Sequence, residues 1–446
     1  SIWKGIHKLE PGTILTISIN SSEPKLTKYW SADQVIKNRK STNNHLSEEE
    51  AVSQLDILLK DIISKQMLAD VPVGAFLSGG VDSSTIAALM QAQSTSKIKT
   101  FTIGFNEDKQ NEADYAKKIS DHLGTDHTEL ILSAADAKNI IPMIPTIYDE
   151  PFADSSQIPT YLVSKLARND VKVALTGDGA DEILCGYNRY QVSNKLWGRY
   201  NKIPHCLRKI GSQTISKIPA GVLNSLHKVF PMINKSNNFS DRVFKGGRLL
   251  KAESVDQFYL EFISYWNNPE ALVINSKEPK TILNSNNKSA HNMTNTERMM
   301  YLDLLSYLPG DILTKVDRAS MAVSLETRLP FMDHRLIEFA WTLPNEYKYK
   351  NGQTKWILKE VLNKYIPKKL YDRPKQGFGI PINEWLKGSL REWAEELLNE
   401  QKLKEQGYFD ARKIREKWMQ HQSGKSNWQH QIWNILMFQS WLEENN

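Results

Sequence analysis

A chain of 446 residues exceeds one ordinary hydrophobic core, so two or three domains are expected. With 40% hydrophobic and 24% charged residues the composition is globular, and a net charge of +6 reads as a solvated surface, not a nucleic-acid footprint. Two cysteines without metal-ligand spacing, and no apolar run of about 18 residues, exclude a zinc site, a disulfide scaffold and a membrane span; a cytoplasmic protein with neither nucleic acid nor membrane as partner is expected.

The chain begins at Ser1, not Met, directly in structured-looking sequence, which reads as a fragment or a processed product. GTILTISI and KLTKYW, separated by the turn residues SSEPK, predict two short strands that need a partner. Residues 31–45 read as a polar linker. LSEEEAVSQLDILLKDIISKQM then places Val52, Leu55, Leu58, Leu59 and Ile62 at helical spacing, with Ser47 and Glu50 forming a capping box. From residue 71 strands and helices alternate: VGAFLS, SSTIAALMQAQ, IKTFTIGF, NEADYAKKISDHLG, DHTELIL, IPTYLVSKLARND and VKVALTG. That rhythm predicts an α/β fold, a parallel sheet with helices on both faces. SGG, the GF after FTI, and GDGADE all fall at carboxyl ends of strands, where ligands bind in such sheets. Residues 191–295 read as helix and polar loop with surface variation. A largely helical C-terminal region follows, whose tryptophans at helical spacing are expected to pack a core.

The chemistry sits first in LSGGVDSS. Ser78, Gly79 and Gly80 can turn backbone N–H groups inward, and the following helix adds its positive N-terminus, a site for an anion. Ser83 and Ser84 can donate hydroxyls, and Asp82 is placed to hold Mg²⁺ against phosphate. The lysine of a nucleotide-triphosphate P-loop is missing, so the loop is expected to grip departing pyrophosphate while chemistry occurs at the α-phosphate. In LTGDGADE, Thr176 and Gly177 can line the nucleotide and Asp181 is the natural second Mg²⁺ ligand. Asp178 is then left as a base or positioning group on the substrate side.

With TFTIGF, DEPFADSSQIPTYLVS, LTGDGADEILCGYNRY, KVDRASMAVSLETRLPFMD and RPKQGFGIP in this order, the chain resembles the synthetase domain of glutamine-dependent asparagine synthetases, enzymes of the ATP-pyrophosphatase (PP-loop, adenine-nucleotide α-hydrolase-like) superfamily. The resemblance spans about residues 45–446. It implies that ATP and Mg²⁺ activate a carboxylate as an acyl-adenylate, releasing pyrophosphate, and that ammonia then gives an amide and AMP. It implies Leu77 and Ile103 beside adenosine, together with Thr176 and Gly177. It gives Asp178 a part in ammonia attack, with Asp where a bacterial asparagine synthetase has Glu, and gives Lys375 the neutralisation of phosphate charge. Asp311, Glu326 and Arg328 lie in matching motifs, either structural or, for Asp311, directly involved. Residues 1–30 resemble only the last strands of the family's N-terminal glutaminase domain, 31–45 a linker, and 46–446 the synthetase. Ammonia would come from that glutaminase domain, whose nucleophilic Cys is not among residues 1–30; nothing before Trp30 builds a site around Ser1. Cys185, where the family commonly has Gly, is expected to be a small core residue. Aspartate is the favoured acid. A uronic acid or another acid of surface-polysaccharide or secondary-metabolite pathways is the alternative, and a non-catalytic nucleotide-binding module a third; a homodimer is compatible with all three.

Overall fold

The computed structural model describes residues 1–38, 46–105, 112–219, 222–223, 239–285, 293–373 and 380–445. They divide into two compact units. The first comprises Ser1–Glu150, Asp154–Tyr187 and Met300–Ile380, and the second Pro151–Ala153, Asn188–Met299 and Pro381–Asn446.

The first unit opens with an antiparallel hairpin, β1 (Thr13–Ser18) and β2 (Ser21–Lys28), which leaves Ile14, Leu15, Ile17 and Leu26 exposed. Residues 32–38 depart from the expected polar linker: Ala32–Asn38 is a helix. Ala32 and Ile36 are buried on one side of it, the Tyr301 hydroxyl donates to Asp33 at 2.6 Å, and Lys37 pairs with Asp33 one turn back. Four-residue spacing of apolar and of charged side chains outweighed the polar composition there. Helix Glu48–Gln66 has the expected capping box, Ser47 accepting from Glu50 N–H and Glu50 from Ser47 N–H.

The sheet of this unit joins β3 (Val73–Phe76), β4 (Lys99–Phe105), β5 (Asp126–Leu132), β6 (Val173–Leu175) and β7 (Glu326–Arg328), all parallel, in the order β5-β4-β3-β6-β7. Helix Val81–Ala92 connects β3 to β4 and helix Glu112–Leu123 connects β4 to β5, so the chain steps outward on one side. Helix Gln157–Arg168 then carries it back across β4 and β3 to β6. Right-handed crossovers in opposite directions put helices on opposite faces, and the order reverses between β3 and β6. Such a switch point opens a crevice at the carboxyl ends of the two strands. Helix Glu112–Leu123 is closed by Gly124 at φ +71°, as the sequence predicts.

The second unit is helical. Trp197, Leu249, Ala252 and Phe258 form the centre of one core, drawn from helices Asn188–Tyr200, Phe239–Leu249 and Val255–Ile263. Helices Ile382–Lys387, Ala411–Gln422 and Gln429–Glu444 bury Trp385, Trp418, Trp433 and Trp441, which is the packing role expected of these tryptophans. Among the described residues no helix is long and apolar enough to cross a membrane.

Candidate active site

The crevice at the β3/β6 switch point is a cavity of about 430 Å³, within the range of small-molecule sites. β3 ends at Phe76, and Leu77 N–H continues the ladder by donating to Phe101 O at 2.9 Å. The chain then turns at Gly79, φ +74°, where a Cβ would stand 2.8 Å from Tyr115 Cβ. Only glycine serves at that position. Gly80 is the N-cap of helix Val81–Ala92 and makes no side-chain cap hydrogen bond, so the positive end of the helix faces the crevice. The Ser78 and Ser83 hydroxyls lie 3.0 Å apart, and Ser78 N–H donates to Ser83 Oγ at 3.1 Å. Arg373 fixes the loop from outside: its guanidinium donates to Ser78 O at 3.0 Å and lies 4.3 Å from the Tyr115 ring centre.

β6 delivers the opposing wall. Gly177 approaches the helix so closely that a Cβ would meet Ser83 N at 2.7 Å and Asp82 C at 2.9 Å. The Thr176 hydroxyl donates to Asp178, holding that carboxylate at the strand exit. Gly179 follows at φ +94°, turning the chain into helix Ala180–Ile183, which carries Asp181 and Glu182. Leu77, Ile103 and Val163 supply an apolar surface suited to a purine.

Two carboxylates from distant segments meet here on one cation. Lys355 Nζ lies 2.5 Å from Asp82 Oδ2 and 2.7 Å from Asp181 Oδ1. Lys355 is buried and left-handed, φ +52°, immediately before helix Trp356–Leu362. Gly186 makes room for it, since a Cβ there would fall 2.0 Å from both Asp181 Oδ1 and Lys355 Cε. Burial alone would lower the lysine pKa, but Asp181 and Asp82 hold it above the ordinary value.

A second network lines the same cavity. Lys315 Nζ donates to Asp154 Oδ2 at 2.9 Å and Ser156 Oγ at 2.8 Å, while Ser156 N–H and Oγ donate to Asp154 Oδ1. Burial opposes charge on Lys315, yet Asp154, Asp178 and Asp311 outweigh it and raise its pKa. Asp154 is held low despite burial, chiefly by Lys315. Glu182 is buried and accepts from the Tyr187 hydroxyl at 2.7 Å; burial, then the charge of Asp181, pushes its carboxyl up to about 7.

The cavity thus brings together Leu77, Ser78, Gly80, Asp82, Ser83, Ile103, Thr176, Gly177, Asp178 and Asp181 of the sequence-derived set. Three others stand differently. Ser84 is fully buried, its N–H closes the first helical turn by donating to Gly80 O at 3.0 Å, and it is not among the residues that line the cavity. Gly79 contributes the turn and not a lining surface. Asp311, in the irregular turn Leu308–Ile312, is not among the lining residues, and its charge reaches the site through Lys315 and Tyr148. Lys375 lies outside the described residues. Arg328 and Glu326 are structural: Arg328 donates to Gln66 O and Leu68 O, both at 2.8 Å, and to Glu326 at 2.6 Å, fastening β7 to the end of helix Glu48–Gln66. Cys185 is buried as expected, at φ +56°, a conformation that glycine adopts most readily.

Lys355, Lys315 and Asp154 were not singled out from the sequence. Lys315 and Asp154 lie inside quoted motifs and Lys355 lies outside all of them, and a lysine declares a buried role only through its partners. For Mg²⁺, no group of three or more ligating side chains occurs among the described residues. Two carboxylates on one side are nonetheless the donor set this ion takes when phosphate oxygens and water complete its shell, and Asp82 and Asp181 fit it.

A family model described as asparagine synthase matches residues 54–443. Asparagine synthetase (glutamine-hydrolyzing) 1 of Bacillus subtilis is 30% identical over 437 residues, covering 98% of this chain and 65% of that protein. A putative asparagine synthetase (glutamine-hydrolyzing) of Mycobacterium tuberculosis is 30% identical over 445 residues, covering 99% of this chain and 64% of its own length. Amidase chyE of Penicillium rubens is 24% identical over 454 residues, with 92% and 64% covered. The chain therefore spans a little less than two thirds of the length of these relatives.

Proposed function

The chain belongs to the asparagine synthase family, and from that premise we propose that it is an ATP-dependent amide ligase. It adenylates a carboxylate with release of pyrophosphate, then combines the acyl group with ammonia to give an amide and AMP. Its acid is the side chain of aspartate, and asparagine is the product. The nitrogen comes from glutamine through a glutaminase domain, a reading supported by its similarity to glutamine-hydrolyzing asparagine synthetases and by the exposed apolar side chains of β1 and β2.

The observation that carries this reading is a helix N-terminus with no side-chain cap facing, in one cavity, the carboxylate of Asp178. In the adenylation step a carboxylate oxygen bonds to the α-phosphorus and the bond to the bridging oxygen of pyrophosphate breaks. Ser78, Gly80 and Ser83 hold the departing group with hydroxyl and backbone donors. Asp82 and Asp181 would hold Mg²⁺, which supplies charge neutralisation on the leaving phosphates. Lys355 pairs with both of those carboxylates and adds a positive charge beside them; Lys375 is assigned a similar role on its motif alone. In the second step nitrogen bonds to the acyl carbon, AMP leaves, and Asp178 takes the ammonia proton. Lys315, held by Asp154 and Ser156, places its positive charge where Asp178 faces the same cavity.

The test is pyrophosphate–ATP exchange and AMP release over a panel of carboxylic acids with ammonium. Aspartate-dependent exchange and asparagine are expected. Exchange with a uronic acid or another acid, and none with aspartate, would move the assignment to the alternative that the amidase-named relative favours. ATP binding with no exchange under any acid would leave a nucleotide-binding module.

A further inference from the structure

From Ile183 to Ser240 the sequence runs without a single aspartate or glutamate while carrying nine lysines and arginines. The chain has 51 acidic residues among 446, so a gap of this length marks a local departure from its mixed-charge surface. The described part of this run contains two consecutive helices of the second unit, Asn188–Tyr200 and His205–Lys217, joined by residues 201–204.

The first helix buries Tyr190, Ser193 and Trp197, and turns Val192, Lys195 and Arg199 outward at successive helical spacings. The second is fixed by its other side. Arg208 is buried, donating to Ala252 O at 2.5 Å and Ile203 O at 3.1 Å, and Gly247 lies where a Cβ would meet Ile215 at 2.7 Å. The opposite face of that helix carries Leu207, Ile210, Thr214 and Lys217, with Lys209 on its flank, all exposed. Leu207 and Ile210 are 56% and 59% exposed, and Ile203, just before the helix, is 42% exposed. Large aliphatic side chains facing water on successive turns, flanked by lysines and with no acid in the helix itself, need a surface that is apolar at one depth and anionic at another. Glu253, 3.8 Å from His205 at the helix start, is the acid placed beside it from another segment.

That pairing separates two classes of anion. A nucleic acid offers phosphates to Lys202, Lys209 and Lys217, but leucine and isoleucine gain little from its backbone, and among the described residues this face carries no Phe, Tyr or Trp on which a base would stack. An anionic bilayer satisfies both kinds of side chain, with aliphatic groups at the headgroup–acyl boundary and lysines extended to the headgroups. We propose that this face binds the surface of an anionic membrane, with helix His205–Lys217 lying in the interface plane, Leu207 and Ile210 inserted, and Lys202, Lys209 and Lys217 paired with headgroups. The inference is independent of the ligase reading. It departs from the expectation, drawn from composition and the lack of a long apolar run, that no membrane is a partner.

The test is co-sedimentation of the full chain with vesicles of phosphatidylcholine alone and of phosphatidylcholine mixed with phosphatidylglycerol. Binding to the mixed vesicles alone is expected, falling steeply with added salt. Reversing charge in the double variant Lys202→Glu/Lys209→Glu weakens it by at least about 25-fold, since each lysine near such a surface is worth about fivefold. Leu207→Ser/Ile210→Ser weakens it about tenfold through lost apolar burial. Unchanged far-ultraviolet circular dichroism shows that both variants remain folded, as expected for exposed positions. The proposal is overturned by equal binding to neutral vesicles, or by no binding to the mixed ones. It is also overturned if the serine variant binds mixed vesicles and duplex DNA as wild type does, which would make the face a general polyanion site.

Discussion

Lys355 brings one positive charge between two carboxylates whose segments lie about 100 residues apart in sequence, Asp82 at 2.5 Å and Asp181 at 2.7 Å. Without it two acids would face each other in a buried site, and repulsion together with desolvation would protonate one of them. Lys355→Met keeps the length of the stem and removes the charge. It is expected to lower pyrophosphate exchange by roughly 10²-fold or more and, by breaking a buried ion-pair cluster, to cost about 3 kcal/mol of stability. Both are read by exchange assay and thermal unfolding; exchange at the wild-type rate would remove Lys355 from the proposed machinery. This residue was not legible beforehand. In GQTKWIL it looks like any lysine opening a helix, and neither its left-handed backbone nor the space Gly186 leaves for it is written in a local pattern.

At the level of elements, the strand–helix alternation from residue 71 was readable because apolar runs and capping residues act over a few positions. The crevice follows from two neighbours in the sheet, β3 and β6, that are about 100 residues apart in sequence. Their approach has a measurable consequence at Gly177. A Cβ there meets backbone atoms of Asp82 and Ser83 at 2.9 and 2.7 Å, and backbone cannot rotate aside. Gly177→Ala is expected to push β6 from the phosphate loop, costing about 1–3 kcal/mol from overpacking and about 100-fold in exchange from misplacement of the order of 1 Å. Parallel exchange and denaturation measurements check it, and wild-type exchange would show that the loop tolerates the displacement. Two features that no local pattern announces have the same origin. Helix Ala32–Asn38 depends on burial of Ile36 and on Tyr301, far along the chain, and Ser84 turned inward because the helix starts at Val81, setting its phase.

Across the whole molecule the two units differ in their load of tryptophan. Eight of the 12 tryptophans lie in the second unit, so indole fluorescence reports mainly its unfolding. His421 of that unit is fully buried, with Nδ1 accepting from Trp428 N–H at 3.2 Å. Burial, followed by the charge of Lys387, lowers its pKa to about 4. The unfolded chain takes up a proton near the ordinary histidine pKa of about 6.5, which the native unit refuses, so stability is full above that pH and falls as pH drops towards about 4. The loss reaches at most about 3 kcal/mol. Denaturant midpoints by tryptophan fluorescence between these pH values are expected to show it, and His421→Gln to flatten it. A wild-type and a variant curve of equal slope would exclude His421 as the origin.

The sequence by itself determined the parallel α/β class, the phosphate loop and its missing lysine, the acidic turn after β6 and the packing role of the C-terminal tryptophans. These rest on glycine, capping and periodicity rules that act within one turn or one strand. Only the tertiary structure decided that Lys355 joins Asp82 to Asp181, that Lys315 is gripped by Asp154 and Ser156, that Ser84 is buried, and that the acid-free helices turn Leu207 and Ile210 to water. Those outcomes depend on contacts between segments distant in sequence, or on which face of a helix its neighbours leave uncovered. Charge, desolvation and packing act through distance in space, and distance along the chain does not record it.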